Sequence, residues 1–386
     1  MSEYQYVAFQ AVDRPLDDKQ LEFAERQSTR AEVSRWQFSV EYNYSSFHGD
    51  VDGLLRRGYD VFLQYTNYGN REIKMRLPNG LPFEKKVWSK YVDGERLTWK
   101  KDAKKPAGIL TLHPFHEELD QVWDFGRYVD AAVRVRQQLV EGDLRALYLL
   151  WLCAADDDYE DPCEVIEPPV PGGLGQLVDT CGDFLDFFEL DPLLLQAAAE
   201  GSGESPEVVS RDQQVADWVG GISADDAKRH LAEFILGDPA AVRAELLSAI
   251  RDSGETMAWP VVHLGRTMAA LMERTDALRR AQSAKEERQR KAKEKREAAK
   301  AERERQERMK QMLKDPQQWL RKAGQLVDQR GTDNYRAAAD ILADLREAVG
   351  GDEGEKITRK QAAHLAKKHP TLNILKSSLR KRGLLS

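Results

Sequence analysis

Residues 273–313 determine how the chain is organised, and they read ERTDALRRAQSAKEERQRKAKEKREAAKAERERQERMKQML. Between Ser283 and Arg308 the only apolar side chains are alanines, and neither Gly nor Pro interrupts the stretch. The remaining residues are almost all strong helix formers. Opposite charges recur at helical spacing, in the pairs Glu286–Arg290, Glu287–Lys291, Lys300–Glu304 and Glu304–Arg308.

This composition predicts a solvated single helix. A coiled-coil seam would need Leu, Ile or Val at its a and d positions, and this stretch supplies none between Ser283 and Arg308. At 1.5 Å per residue the helix should span about 60 Å. We therefore expect four segments: an α+β domain in residues 1–116, a helical domain in residues 117–272, a charged helical spacer in residues 273–314, and a basic helical domain in residues 315–386.

The α+β prediction comes from hydrophobic periodicity in residues 1–116. One strand shows period-two alternation, with one face formed by Trp36, Phe38, Val40, Tyr42 and Tyr44. A short helix capped by Asp50 follows, and the segment YDVFLQYTNYGNREIKMRLP has the pattern of a hairpin that turns at residues 67–70. Strands alternate with short helices before several strands run together, so we expect a mixed sheet domain of the α+β class.

From residue 117 onward the pattern is helical. The segment Leu144–Ala155 is apolar nearly all round, which predicts a buried core helix. Further helices are expected up to about residue 250, and the last segment should contain helices near 319–330, 335–349 and 358–368, with another after Pro370.

The bulk composition favours a soluble protein of a reducing compartment. The chain has 386 residues, of which 32% are charged and 41% hydrophobic, and no apolar run reaches the roughly 18 residues that a membrane span needs. The first residues, MSEYQYVAFQ, do not have the pattern of a signal peptide. Three cysteines are too few for a disulfide framework. We therefore expect a cytoplasmic protein that does not contact membranes.

Charge is distributed unevenly along the chain. The net charge is −7, yet residues 356–386 hold nine Lys and Arg with no Asp or Glu, so the remaining residues carry −16. The tail sequence ITRKQAAHLAKKHPTLNILKSSLRKRGLL predicts two short helices. Their inward faces would hold Ile357, Ala362, Leu365 and Ala366 in the first, and Leu372, Ile374, Leu375, Leu379 and Leu384 in the second.

The outward face of these two helices is the candidate binding surface, because Lys and Arg in this density are typical of phosphate-contacting proteins. The candidate nucleic-acid-binding residues are Arg359, Lys360, Lys367, Lys368, Lys376, Arg380, Lys381 and Arg382. The alternatives are a solvated surface or a cationic face that contacts acidic parts of the chain. No pattern of Arg and Asn indicates base-specific recognition.

The alternative hypothesis to an interaction protein is a metal-dependent enzyme. His113 and His116 are close in sequence, but Pro114 lies between them and the helical spacing of a metalloprotease is missing. The acidic segment Asp156–Asp161 lacks the alternating pattern and the distal Glu of a calcium-binding loop. Cys153, Cys163 and Cys181 form no C-x-x-C pair, so no zinc site is expected.

Other catalytic patterns are weak. The glycine-rich segment PPVPGGLG at residues 168–175 follows no predicted strand, and no Lys-Ser or Lys-Thr closes it as in a phosphate-binding loop. No G-x-S-x-G motif is present. We therefore assign no catalytic residue, no metal and no cofactor, and expect a protein that is not an enzyme.

Two resemblances bear on these expectations. The segments YVAFQAVDRPL, LLRRGYDVFLQYTNYGNREIKMRLP, PVPGGLGQL and AIRDSGETMAWP resemble a family of uncharacterised bacterial proteins, which implies no activity. The segment YRAAADILADLREAV, with the basic ending LRKRGLL, is similar to the C-terminal tail of bacterial SWIM zinc-finger proteins. The C-x-C…C-x-H signature of the finger is absent, so the resemblance implies a docking or nucleic-acid-associated role without zinc.

Together these patterns favour an interaction protein whose basic C-terminal domain binds nucleic acid or another polyanionic partner, such as an acidic protein. One alternative is a metal-dependent hydrolase with a site between the α+β and helical domains, near His113, His116 and residues 156–161. The other is a purely structural adaptor. The sequence does not indicate an oligomeric state.

Overall fold

The chain forms two compact units, Met1–Ala281 and Gln282–Ser386. The computed structural model describes residues 3–103, 105–115, 122, 124–156, 161–178, 180–206, 211–237, 239–253 and 259–385. The predicted boundary between residues 116 and 117 lies within the first unit, and the boundary between residues 314 and 315 lies within the second.

A seven-stranded antiparallel sheet forms the centre of the N-terminal unit, and its strands are ordered β2-β3-β1-β4-β5-β7-β6. The strands are β1 (Tyr4–Gln10), β2 (Glu32–Val33), β3 (Gln37–Asn43), β4 (Val61–Thr66), β5 (Arg71–Leu77), β6 (Leu97–Lys101) and β7 (Gly108–Leu112). The predicted hairpin is β4 and β5, which pair in the register Leu63 with Ile73. The predicted α+β class is confirmed.

The helices of the N-terminal unit before its long last helix are α1 (Asp18–Glu25), α2 (Val51–Arg57), α3 (Lys85–Trp88), α4 (Gly126–Val140), α5 (Leu144–Ala155), α6 (Gly182–Phe187), α7 (Pro192–Ala199), α8 (Arg211–Gly221), α9 (Ala224–Leu236) and α10 (Pro239–Ser253). The helices α1 and α2 pack on one face of the seven-stranded sheet, and α4 and α5 pack on the other. A two-stranded sheet pairs β8 (Val170–Pro171) with β9 (Val261–Val262). The side chain of Asp50 accepts a hydrogen bond from the amide of Gly53, so the predicted cap of α2 is present.

Period-two alternation sends successive strand residues into two different cores. On β4, Phe62 packs with α1 and α2, whereas Leu63 and Tyr65 pack with α4 and α5. The prediction that α5 is a buried core helix is confirmed, since eleven of its twelve residues are buried. One hydrophobic core therefore joins the sheet to the helices that follow it.

The ends of β3 depart from the predicted buried face. Phe38 and Val40 are buried, but Trp36 is 42% exposed and Tyr44 is 76% exposed. Both lie outside β3, and Tyr44 has a positive φ of 62°. The alternation is therefore correct only along the part of the segment that is in the sheet.

A buried ion network fixes α4 to the sheet. Arg136 and Asp60 are fully buried, and the Nη2 atom of Arg136 lies 3.2 Å from Oδ1 of Asp60 and 2.7 Å from Oδ2 of Asp13. Arg76 donates to the same oxygen of Asp60. The other carboxylate oxygen of Asp60 accepts hydrogen bonds from the amides of Val12 and Asp13. Each buried charge therefore has a partner of opposite sign.

The helix α11 (Met268–Lys314) is continuous, as predicted for the charged stretch. Its first turns contribute Met268 and Leu271 to the core of the N-terminal unit, and Met312 belongs to the core of the C-terminal unit. Every side chain from Arg279 to Glu304 is exposed. The predicted pairs Glu287–Lys291 and Lys300–Glu304 are present, while Arg290 lies 3.8 Å from Glu294 instead of pairing with Glu286.

The C-terminal unit is completed by four helices, α12 (Pro316–Asp328), α13 (Thr332–Val349), α14 (Gly351–Lys368) and α15 (Asn373–Lys381). The helix α13 packs against the other three. Their core is built from Leu, Ala, Ile and Val side chains around Leu342 and Leu345. None of the helices in the described ranges combines the length and apolar character that a membrane span requires.

Removal of the buried Arg136 should destabilise the N-terminal unit. Arg136→Ala leaves the buried carboxylate of Asp60 with one cation fewer, and we expect a loss of about 3 kcal/mol in the free energy of unfolding. The measurement is urea-induced unfolding followed by circular dichroism. Arg134→Ala is the control on the same helix, because Arg134 is 54% exposed and lies 3.3 Å from Asp183. It should cost about 1 kcal/mol or less. Equal losses for both variants would contradict the role of the buried network.

Candidate nucleic-acid interface

The basic residues of the tail lie on α14 and α15, apart from Arg382, which directly follows α15, and packing decides which way they face. Ala362 and Leu365 of α14 are buried, as are Leu375 and Leu379 of α15. Because buried residues recur every three or four positions, the charged residues between them face solvent. The prediction that Ile374 faces inward is wrong, because this side chain is 47% exposed.

Three of the eight predicted cations pair with acids of the same unit. Lys368 donates to both carboxylate oxygens of Asp328, at 2.9 and 3.1 Å. Arg382 lies 2.6 Å from Asp340, and Arg359 lies 3.1 Å from Glu355. Lys376 donates instead to the carbonyl oxygen of Pro370 at 2.6 Å. These partners make the four side chains less available to an external anion.

The acid that holds Lys368 also contacts His369. The Nε2 atom of His369 lies 3.1 Å from Oδ1 of Asp328. The hydrogen bond from Lys368, together with that from His369, lowers the pKa of Asp328 below its usual value. Asp328 is therefore ionised at neutral pH and holds this end of α14 to the end of α12.

A polar groove of about 1070 Å³ receives the cations at the end of α15. Its walls carry charges of both signs, which come from Arg305, Arg308, Asp340, Asp344, Arg346, Glu347, Asp352, Glu355, Lys381 and Arg382. Arg305 pairs with Glu347 and Asp344, and these carboxylates raise the pKa of Arg305. Because its walls carry acids as well as bases, the groove is poorly suited to a polyanion, and Lys381 lies in its wall.

On the outer face of α14 lies a row of lysines that have no ion-pair or hydrogen-bond partner among the described residues. It consists of Lys356, Lys360 and Lys367, which we call the lysine stripe, and Lys356 was not among the predicted site residues. Offsets of four and seven residues place the three side chains on one side of a helix, over about 16 Å. All three are exposed. The last acids of α14 are Glu353 and Glu355, and none follows in residues 356–385.

The lysine stripe can act as an electrostatic contact surface. Each lysine presents an ammonium group on a flexible stem, which suits phosphate oxygens without fixing a direction.

Of the eight predicted residues, Lys360 and Lys367 belong to this stripe. A sequence pattern that identifies the stripe does exist, since positions 356, 360 and 367 repeat at helical spacing. The pairing of Lys368 and Arg382 could not be recognised in this way, because Asp328 and Asp340 are about 40 residues from them, whereas Glu355 lies four residues before Arg359.

The glycine-rich segment at residues 168–175 is a structural turn. The amide of Gly172 donates to the carbonyl of Pro260 at 2.8 Å, and that of Gly173 donates to the carbonyl of Gly203 at 2.9 Å. The amide of Leu174 donates to the hydroxyl of Ser202. A phosphate-binding loop needs free amides, and these three are occupied by the protein itself.

The sites considered for a metal give no assembled cluster. His116 and residues 157–160 lie outside the described residues. The ring of His113 forms a hydrogen bond with the side chain of Asn70. Among the described residues, no group of three His, Cys, Asp or Glu side chains is arranged to hold a metal ion. Burial raises the pKa of the Cys153 thiol well above its usual value, and also raises that of Cys181. Both thiols are therefore protonated at neutral pH.

Comparison with known proteins adds no assignment, since no family model, no curated protein and no solved structure matches this chain. The resemblances to uncharacterised bacterial proteins and to the tail of SWIM zinc-finger proteins stay predictions.

If the glycine-rich segment is structural, its close packing should be sensitive to one methyl group. A Cβ atom at Gly172 would lie 2.2 Å from the carbonyl oxygen of Glu204. We expect Gly172→Ala to lower the free energy of unfolding by about 1–3 kcal/mol, measured by urea titration. In the control Gly175→Ala, the nearest atom would be the Cβ of Ala199 at 3.9 Å, so stability should hardly change. A harmless Gly172→Ala substitution would contradict this interpretation.

Proposed function

We propose that the C-terminal unit binds nucleic acid through the backbone phosphates, and that the protein is an interaction protein and not an enzyme. The single observation that supports this proposal most is the lysine stripe, in which three exposed cations lie on one helix face without an acid among them. Charge in the unit as a whole points the same way, because residues 282–386 contain 27 Lys and Arg against 16 Asp and Glu.

Counterion release is the physical basis of the proposed binding. A nucleic-acid duplex carries a condensed layer of cations, and each lysine that contacts a phosphate releases them to bulk solution. Along the axis of a duplex, each strand contributes a phosphate about every 3.4 Å. The lysine stripe is therefore long enough to face several phosphates of one strand, so its three ammonium groups can contact the same strand together.

The stripe supports affinity without base recognition. Base edges are read mainly by bidentate side chains, such as Arg on guanine or Asn on adenine. Lysines on an exposed helix face act mainly as point charges. We therefore expect the C-terminal unit to bind different nucleic-acid sequences with similar affinity.

A protein partner fits the stripe less well. The central part of a protein interface is depleted in charge and enriched in aromatic and other apolar side chains. The face of α14 that carries the stripe offers Ala363 between Lys360 and Lys367, and no large apolar side chain. Nucleic acid is therefore the polyanion that this surface suits best.

The test compares two triple variants that remove the same charge. Lys356→Gln, Lys360→Gln and Lys367→Gln together neutralise the lysine stripe. We expect the salt dependence of binding, as the slope of log K against log salt, to decrease by about 2–3, because each lost phosphate contact reduces it by about 0.9. The measurement is fluorescence anisotropy of a labelled 20-base-pair duplex at several concentrations of KCl.

The matched control is the triple variant Arg359→Gln, Lys368→Gln and Arg382→Gln, which removes three cations that are paired within the unit. Its slope should decrease by about 1 or less. Circular dichroism checks that both variants keep the helical content of the parent. No binding by the parent protein at low salt, or equal losses in the two variants, would overturn the proposal.

A further inference from the structure

The exposed part of α11 has two faces of opposite charge. Helix geometry advances successive residues by about 100° around the axis. On this basis five cations fall within an arc of about 100°, which we call the basic face: Lys285, Arg288, Lys295, Arg296 and Arg303. Five acids fall within an arc of similar width on the opposite side: Glu286, Glu287, Glu294, Glu297 and Glu304.

Ion pairs neutralise the acidic side only. Cations near that side pair with its acids, in Arg290–Glu294 at 3.8 Å, Lys291–Glu287 at 2.6 Å and Lys300–Glu304 at 3.9 Å. The five cations of the basic face make no ion pair or hydrogen bond within the described part of the chain. The acids at the margins of this face are Glu302, which accepts a hydrogen bond from Gln306, and Glu307.

The space between the unpaired cations is open. Ala292 and Ala299 lie on the basic face, and both are exposed. A methyl group does not prevent a phosphate backbone from approaching the helix. The five cations span about 27 Å along a helix without Pro or Gly, which makes a long and narrow positive surface.

We propose that the basic face of α11 is a second contact surface for the backbone of double-stranded nucleic acid. This inference rests on the proposed function and extends it from α14 to the helix that the sequence alone presents as a spacer. A duplex carries a negative charge about every 1.7 Å along its axis. It therefore offers a regular row of phosphates to a helix surface of this length.

The surroundings favour a double strand over a single strand. Proteins that bind single strands stack the bases on exposed aromatic side chains. Residues 282–386 contain two aromatic side chains of the Phe, Trp or Tyr type, Trp319 and Tyr335. Tyr335 is buried, and Trp319 is partly buried in the core and lies under Lys322. The unit thus supplies charge for a backbone and no stacking surface for bases.

A helical protein partner is less suitable than a duplex. Two helices that associate in water bury a seam of apolar residues. The exposed stretch of α11 offers only alanines between Ser283 and Arg308. The basic face is therefore a surface for a partner that is recognised through its charge.

The test uses the full-length protein and a 30-base-pair duplex DNA. The variant Arg288→Gln, Lys295→Gln and Arg296→Gln neutralises most of the basic face, and Gln keeps the helix because its helix propensity is high. We expect the slope of log K against log salt to decrease by about 2–3, and binding at 100 mM salt to weaken about tenfold or more.

The control variant Arg290→Gln, Lys291→Gln and Lys300→Gln removes the same charge from the paired cations, and it should weaken binding about twofold. Equal effects of the two variants would overturn the inference. If the lysine-stripe variant weakens binding while the basic-face variant behaves like its control, only this inference fails. If the parent protein binds no duplex, the proposed function fails as well. The inference that the basic face contacts a duplex would also be overturned if a 30-nucleotide single strand, or polyglutamate, bound as tightly as the duplex.

Discussion

In the exposed part of α11, helical spacing brings some cations within reach of an acid and leaves others without one. An acid three or four residues from a cation can reach it on the same helix, as Glu287 reaches Lys291. Lys285, Arg288, Lys295 and Arg296 have only alanines, glutamines or other cations at that distance, so no acid of the same helix reaches them. Lys360 and Lys367 of α14 likewise have no acid three or four residues away. Composition alone does not show this, because α11 contains 16 Lys and Arg and nine Asp and Glu, and these numbers do not say which cations are paired.

Much of the fold follows from local pattern. Period-two alternation locates the central strands, and the continuous apolar run of Leu144–Ala155 identifies the helix that fills the core. Short elements such as β2 and β9 have two residues each and carry no periodicity of their own. The packing of the sheet against the helices could not be predicted from the sequence either. Phe62 and Leu63 belong to different cores, and which core each enters depends on how the sheet is paired. Arg136 and Asp60 meet 76 residues apart in the chain, which no spacing rule anticipates.

The candidate site was predictable as a region and not as a set of residues. The tail was identified by its excess of Lys and Arg, and that excess is a property of composition. Availability depends on tertiary partners: Asp328 holds Lys368, and Asp340 holds Arg382. The predicted nucleic-acid-binding residues therefore include side chains that are already paired, and they omit Lys356. Within α11 the ion-pair partners lie four residues apart, so the pairs Glu287–Lys291 and Lys300–Glu304 could be predicted from the sequence. The sequence analysis predicts only a spacer for this stretch, and no binding surface.

The absence of buried side chains from Arg279 to Glu304 also sets how this part of α11 melts. A helix held by backbone hydrogen bonds and surface pairs alone has no tertiary core to lose at once, so it frays in small steps. Its helicity should fall gradually with temperature and contribute little to the excess heat absorption of a calorimetric transition. Amide hydrogens there should exchange with solvent through local openings, long before the cores on either side of it in the chain unfold.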